Sequence, residues 1–499
     1  MELKFPKSTC RYLTHILREP QTQELTQEIR LSDGMPDVGR ILSAWGQPVL
    51  RGKEWRSDEI SVSGGIMVWV LYAPEDGTQP RTVESWIPYQ MKWNLGDEPR
   101  EGTIRVQNLL RYMDARSTSA RKIMLRAGMG MLGEALVSRE QEYSTPGEVP
   151  EDVQVLTHCY PVRLYREAGE KQFLMDEDLT MPDSAPRPEK LVYYTMNPVV
   201  NEQKTTGDKV VFRGNGNLHV LYLSEEGQLY GENFELPFSQ LGELNEVPGS
   251  DAQVNVKMCV TSLELELDDE GHLRLKCGLL GQYLVDDRQL LEILEDAYST
   301  TRSSEVETQM LELPAILEQK QEMVPMHQEI RQSVDRVVDT AFLPDFPKQQ
   351  RSWDRRSWQM QGQFKMLGYG EDGALQSGTG RWEGELNLPA DGQSELFADL
   401  QPVPQPRASA TGDTVAMSGD MPLTIRTQSV QGIPMAMGME LMQPEESLGQ
   451  KPSVILRRAG DARLWDLAKR CGSTVAAIMA ANGLESEPEQ ERMLLIPVG

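Results

Sequence analysis

At 499 residues the chain exceeds one compact core and suits roughly three to five domains. Its net charge is −26 and its isoelectric point is near 4.7. This excludes nucleic acid and anionic membrane surfaces as main partners and favours a more basic protein partner.

Met1–Lys7 lacks the charged-then-apolar plan of a secretion signal, and no stretch reaches the apolar length of a transmembrane helix. A cytoplasmic protein without membrane insertion is therefore expected. Cys10, Cys159, Cys259, Cys277 and Cys471 are odd in number and scattered. They read as reduced, buried thiols, not as a disulfide framework.

Along the chain a pattern recurs: small residues and glycine, a strand, then an acidic turn closed by glycine. It occupies Val62–Gly77, Phe212–Gly227 and Met360–Gly373, whose turn glycines lie 150 and 146 residues apart. A second landmark, Leu125–Gly128 and Leu275–Gly278, repeats at the same 150-residue offset. Two landmarks at one offset imply a duplicated architecture. The third copy shares the second landmark only loosely, near Leu423–Arg426. The units read as 1–150, 190–300 and 335–445.

Each unit is expected to be mainly β. Leu263–Leu267 and Leu273–Cys277 alternate around the turn Asp268–Gly271, as a hairpin with one apolar face does. Both alternating sets of Leu218–Leu223 are largely apolar, so that strand is expected to be buried on both sides. The connecting segments read as a linker over 151–189, with Asp176–Asp178 and the proline-rich Pro182–Pro188, and as a connector over 301–334. Pro402–Pro406 reads as a loop inside the third unit, and 441–452 as a link to the last module. Lys348–Trp358 is locally basic with interleaved tryptophans. Such a mix can bind nucleic acid or stack on a partner, but in so acidic a chain a repeat-edge strand is the simpler expectation.

The last stretch carries its own punctuation. Val454–Leu456 suits a short strand, and Asp461 can cap a helix. Leu464, Leu467, Ala468 and Cys471 recur at helical spacing, and Gly472 suits a left-handed C-terminal cap. Ser473 or Thr474 can cap a second helix with Val475, Ile478 and Met479 inward, ended by Asn482 and Gly483. Met493–Ile496 is a second strand, stopped by Pro497. The string Gly460, Asp461, Leu464, Trp465, Ala468, Gly472, Asn482, Ile496 and Pro497 resembles a LysM domain over 452–499.

That resemblance implies binding of N-acetylglucosamine polymers through the loops flanking the helices: Gly460, Asp461, Ala462 and Arg463 on one side, Asn482, Gly483 and Leu484 on the other. Leu464 and Trp465 are expected to join this partner surface, with Trp465 also serving the module core. Two departures fall at the same place. Ala462 replaces the usual threonine and so removes a hydroxyl, and 485–491 is acidic. A protein partner fits these changes at least as well as a glycan.

The three repeats resemble SPOCS domains of endospore-forming bacteria, through the glycine–strand–acidic-turn segments and Asp296–Ser299. The expected fold class is mainly β: three antiparallel, sandwich-like or open-barrel-like SPOCS-type domains and a small C-terminal βααβ LysM domain. The layout resembles a family of clostridial spore coat morphogenetic proteins. It implies a non-enzymatic scaffold in the mother-cell cytoplasm at the forespore surface. Its LysM module would dock the coat basement-layer morphogenetic ATPase, and its repeats would serve self-association or other coat proteins. The alternative is a peptidoglycan-binding wall or cortex protein.

No catalytic constellation stands out. The five histidines are far apart, no C-x-x-C or H-x-x-x-H occurs, and Gly214–Gly216 and Gly128–Gly130 are too short for phosphate loops. His158 and Cys159 are the only adjacent His/Cys pair, which reads as a strand-edge coincidence. Neither a metal, a cofactor nor a nucleic-acid partner is expected. A wall hydrolase would need an isolated acid, base or nucleophile cluster, which the sequence does not display.

Overall fold

The computed structural model describes residues 2–96, 101–351, 356–388, 394–442, 453–459, 463–486 and 492–498. Repeat 1 contains β1 (Glu2–Lys4), β2 (Lys7–Arg30), β3 (Val38–Arg56), β4 (Glu59–Pro74), β5 (Arg81–Asn94), β6 (Thr103–Ser119) and β7 (Lys122–Ser144). Repeat 2 contains β8 (Val153–Leu179), β9 (Pro188–Thr206), β10 (Lys209–Ser224), β11 (Leu229–Glu243), β12 (Gln253–Leu267) and β13 (Leu273–Ser299). Repeat 3 contains β14 (Ser304–Arg331), β15 (Arg336–Pro344), β16 (Lys348–Arg351), β17 (Arg356–Tyr369), β18 (Leu375–Leu388), β19 (Glu395–Leu400), β20 (Arg407–Thr411) and β21 (Thr414–Leu441).

The three units share one plan. A central strand, β4, β10 or β17, is flanked by antiparallel neighbours, and a long first strand pairs with a long last strand: β2 with β7, β8 with β13, β14 with β21. The landmark glycines close equivalent turns, with φ of 75° at Gly77, 77° at Gly227 and 75° at Gly373, a region that a side chain disfavours. Tyr72 donates to the Pro36 carbonyl and Tyr222 to the Pro186 carbonyl, both at 3.0 Å. Leu125 and Leu275 sit just after their hairpin turns and are fully buried; counted from the turn, the third counterpart is Met417, not Leu423. The hairpin of β12 and β13 has the expected register, Leu265 opposite Leu275, and Leu218, Val220, Leu221 and Tyr222 of the central β10 are all buried.

Two expectations are corrected. The segment 151–189 is not a linker: Val153–Leu179 is a 27-residue strand along β13. The acidic Asp176–Asp178 lies in it, with Asp176 opposite Lys276 and Asp178 opposite Arg274, so the charges are cross-strand partners. Besides the turn at 151–152, only the proline-rich 180–187 lies outside the strands. Likewise 301–334 is mostly the 28-residue β14, whose Leu311, Leu313 and Ala315 alternate inward. The second and third repeats therefore begin about 30 to 40 residues earlier than the sequence landmarks imply. Pro402–Pro406 is a loop between β19 and β20, as expected. In the basic stretch Trp358 is core, and Trp353 and Arg355 lie outside the described residues. Cys10, Cys259 and Cys277 are buried free thiols, but Cys159 is exposed. No helix among the described residues is long and apolar enough to cross a membrane.

The long hairpins converge. Cys10 of β2, Val162 and Leu291 of the second hairpin and Leu311 and Ile433 of the third share one apolar cluster. β1 pairs with the end of β21, Leu3 opposite Met439, so the first strand closes onto the third repeat. Where the hairpins meet lies a buried ionic cluster. Glu134 contacts Arg18 at 3.1 Å, Arg105 at 3.2 Å and Lys257 at 2.9 Å; Asp399 contacts Arg18 at 2.6 Å, Lys257 at 3.0 Å and Arg426. Burial pushes both carboxyls up, but the surrounding cations outweigh it and hold each well below the usual carboxylate range. His15 beside them is driven down to about 3, chiefly by burial.

Candidate binding surface of the C-terminal module

The module folds in the expected order: β22 (Val454–Ala459), α1 (Leu464–Cys471), α2 (Val475–Asn482) and β23 (Arg492–Pro497). Its local rules are visible atom by atom. Gly472 caps α1 at φ 63°, Gly483 caps α2 at φ 58°, and the Thr474 hydroxyl accepts from the Ala477 N–H at 3.0 Å. Arg463 occupies the N-cap position of α1 without a side-chain cap bond. Asp461, expected to cap that helix, lies outside the described residues with Gly460 and Ala462.

The two strands pair, Leu456 opposite Leu495, and the helices cover one face of the pair. Ile455, Leu494 and Ile496 turn toward Leu464, Leu467, Ala468 and Ile478. The other face is open among the described residues: Val454 is 52 % exposed, Leu456 59 %, Met493 52 % and Leu495 45 %. The sequence did carry a signal for this face. In a strand pair roofed on one side by helices, alternate residues must stay outside, and both strands are apolar at those alternate places.

The described members of the expected site do not share one surface. Leu464 and Trp465 are turned inward, which corrects their placement on a partner surface. Trp465 is seated against repeat 2. Its indole Nε1 donates to Asp296 at 2.8 Å, and the ring of Tyr298 meets it edge-on at 4.8 Å. Lys469 donates to the same carboxylate at 2.7 Å, and the Tyr298 hydroxyl donates to the Ser473 carbonyl at 2.8 Å. Nor can Gly472 take a side chain, since a Cβ there would sit 2.9 Å from the Thr300 carbonyl oxygen. The turn carrying Thr300 is knitted by Asp152, whose carboxyl is drawn down to about 2 by the Ser299 hydroxyl first, then by Arg302 and Thr301. Asp296–Ser299, singled out in the sequence as a repeat feature, is thus the seat of the module.

On the far side, Asn482 works inside the fold: its Nδ2 donates to the Ile478 and Leu495 carbonyls and its Oδ1 accepts from the Leu495 N–H at 2.9 Å. It pins β23 to α2. Gly483 is the cap beyond it, and Leu484 packs half-buried on the module core. Arg463 is exposed, 3.7 Å from Asp466. Of the acidic loop, Glu485 is exposed and 487–491 lies outside the described residues.

Elsewhere, no group of three or more His, Cys, Asp or Glu among the described residues is placed to hold a metal. His158 pairs with Glu295 at 3.0 Å, while the exposed Cys159 follows it on a strand and so faces the other way.

Comparison with known families agrees with this geometry. The family model described as SipL, SPOCS domain, matches residues 188–268, which run from β9 through β12. A LysM domain model matches residues 458–487, covering both helices. No curated protein and no solved structure matches the chain. Both domains are binding and scaffold modules, and their combination fits a sporulation coat protein. The chain thus carries a segment similar to the SipL, SPOCS domain family in its second repeat and a segment similar to LysM domains near its C-terminal end.

Proposed function

We propose that the protein is a non-enzymatic morphogenetic scaffold of the spore coat, whose LysM module docks the basement-layer ATPase and so tethers the coat to the forespore from the mother-cell cytoplasm. In this reading all three repeats are SPOCS-type units, and their surfaces serve other coat proteins or further copies of the chain. The observation that carries the reading is the apolar face of the module that the described residues leave exposed, Val454, Leu456, Met493 and Leu495. An apolar patch left open on a small module suits a protein partner better than a sugar, which is held by placed polar groups. Asn482, a member of the expected sugar-binding loop, is already engaged within the fold.

The second reading is peptidoglycan binding, favoured by the LysM match itself. The full chain, immobilised, separates the two. Retention of one dominant ATPase from a sporulating lysate, lost in a Leu456→Asp/Leu495→Asp variant that melts normally, supports docking. Sedimentation with peptidoglycan that soluble N-acetylglucosamine oligomers compete away, with no ATPase retained, replaces it with wall binding.

A further inference from the structure

A cleft of about 510 Å³ opens where the three repeats meet. Its walls come from β3, β6, β9 and β15 and from the loop between β19 and β20. It lies within the size range of ligand sites. Above it the repeats are tied by one carboxylate: Asp339 of repeat 3 accepts from the Trp45 indole of repeat 1 at 2.9 Å, and from the Tyr193 hydroxyl at 2.8 Å and His219 Nε2 at 2.9 Å of repeat 2. This fixes the aromatic wall.

The lining is depleted in charge. In a chain that is 25 % charged, Glu235 and Lys365 are the only Asp, Glu, Lys or Arg among the described lining residues. The Lys365 ammonium is already spent on the Ala44 carbonyl at 2.5 Å and the Met113 carbonyl at 3.0 Å. The polar groups are instead amides, among them Gln47, Gln107, Asn108, Asn197, Asn217 and Gln405. An amide side chain offers donors and an acceptor together, as a peptide unit does.

The cleft already holds one loop segment in this manner. The chain's own Leu400–Gln405, with Pro402 and Pro404, lies along one wall. Gln107 of repeat 1 donates to the Leu400 carbonyl at 2.6 Å and Asn197 of repeat 2 to the Val403 carbonyl at 3.2 Å. Gln405 in turn donates to the Thr340 carbonyl at 3.0 Å. Side-chain amides thus grip the carbonyls of a proline-rich loop that has few N–H groups to satisfy. Prolines also lower the entropy lost on binding.

We propose that this cleft binds a second such segment: an uncharged, proline-containing peptide segment of another protein, held by amide-to-carbonyl hydrogen bonds beside Leu400–Gln405. The inference does not rest on the docking role of the LysM module.

The test uses the full chain and a capped, fluorescein-labelled peptide with the sequence of residues 402–406. Anisotropy should saturate, and hydrogen exchange should slow at 44–48 and 193–198. The same peptide carrying two glutamates should bind at least about tenfold more weakly, since its charges would be desolvated without partners. Asn217→Leu should weaken the neutral peptide about tenfold, while Asn217→Gln stays within about threefold; matched melting curves control for folding. The proposal is overturned by no binding at about 1 mM peptide, by equal affinity for the charged peptide, or by Asn217→Leu binding as tightly as the parent. Protection confined to 454–456 and 493–495 also overturns it, as does protection of the cleft by N,N′-diacetylchitobiose and not by peptide.

Discussion

Two of the polar junctions that hold this molecule together are built differently. At the centre, Glu134 and Asp399 are buried among Arg18, Arg105, Lys257 and Arg426, drawn from all three repeats. At the C-terminal end, the single carboxylate of Asp296 receives Trp465 and Lys469 at the rim of an apolar contact, with Lys469 partly open to solvent. Low dielectric makes the first junction costly to break, because any partner left behind is a buried, unpaired charge. Solvent competes for the second, so it orients the module without being indispensable to it. The repeats form one body by necessity, and the module is mounted on that body by a latch.

The hardest way to break this contrast is at the centre. Asp399→Ala or Glu134→Ala should cost about 3–5 kcal/mol, seen as a lower urea midpoint across the repeats. A change confined to the module would contradict the cluster's joining role.

Trp465→Ala should cost about 3 kcal/mol or more, but locally: exchange should accelerate in 464–482 and stay slow in the repeats. A module that keeps its protection would mean the indole is not part of its core.

Acid should act on the central junction. Glu134 and Asp399 have depressed folded-state values, so their stabilisation is complete above the ordinary carboxylate range of 4.5 and 3.8 and is lost as pH falls below it. His15 is held neutral, down to about 3 from an ordinary 6.5, so the fold weakens as pH drops from 6.5 toward 3. The contribution of these three groups should therefore be level above about pH 7 and shrink steadily below it, read as melting temperature against pH relative to variants that lack them. His15→Phe should flatten the upper part of that decline; an unchanged slope between pH 6.5 and 5 would remove His15 from the account.

Asp296→Ala should cost about 2 kcal/mol of module seating. It should raise exchange at the Trp465 indole N–H while the module stays folded. Smallest is Gly373→Ala, where open space leaves only the positive φ, worth about 1 kcal/mol. A neutral result there would deny that the third turn matches those at Gly77 and Gly227.

Much of the module was legible residue by residue. Gly472, Thr474 and Gly483 each obey a local steric or hydrogen-bond rule, and the order β22, α1, α2, β23 follows from them. The outward half of its strand pair was legible too, from the alternation of Val454 with Leu456 and Met493 with Leu495. That Trp465 faces Asp296 was not, since helical spacing says which face is apolar and not what covers it. The repeat boundaries were misplaced for a related reason. Acidic β8 and β14 look like connectors until Lys276 and Arg274, about 100 residues on, are placed opposite Asp176 and Asp178.

By itself the sequence determined the β content, the three equivalent glycine turns and the module's element order, because each depends on sterics within a few neighbouring residues. Only the tertiary structure decided that Arg105 and Lys257 share Glu134, that Asp339 ties three repeats over a cleft, and that the LysM module rests on Tyr298. Burial and charge pairing belong to residues far apart in the chain, and no local rule specifies which distant side chains will meet.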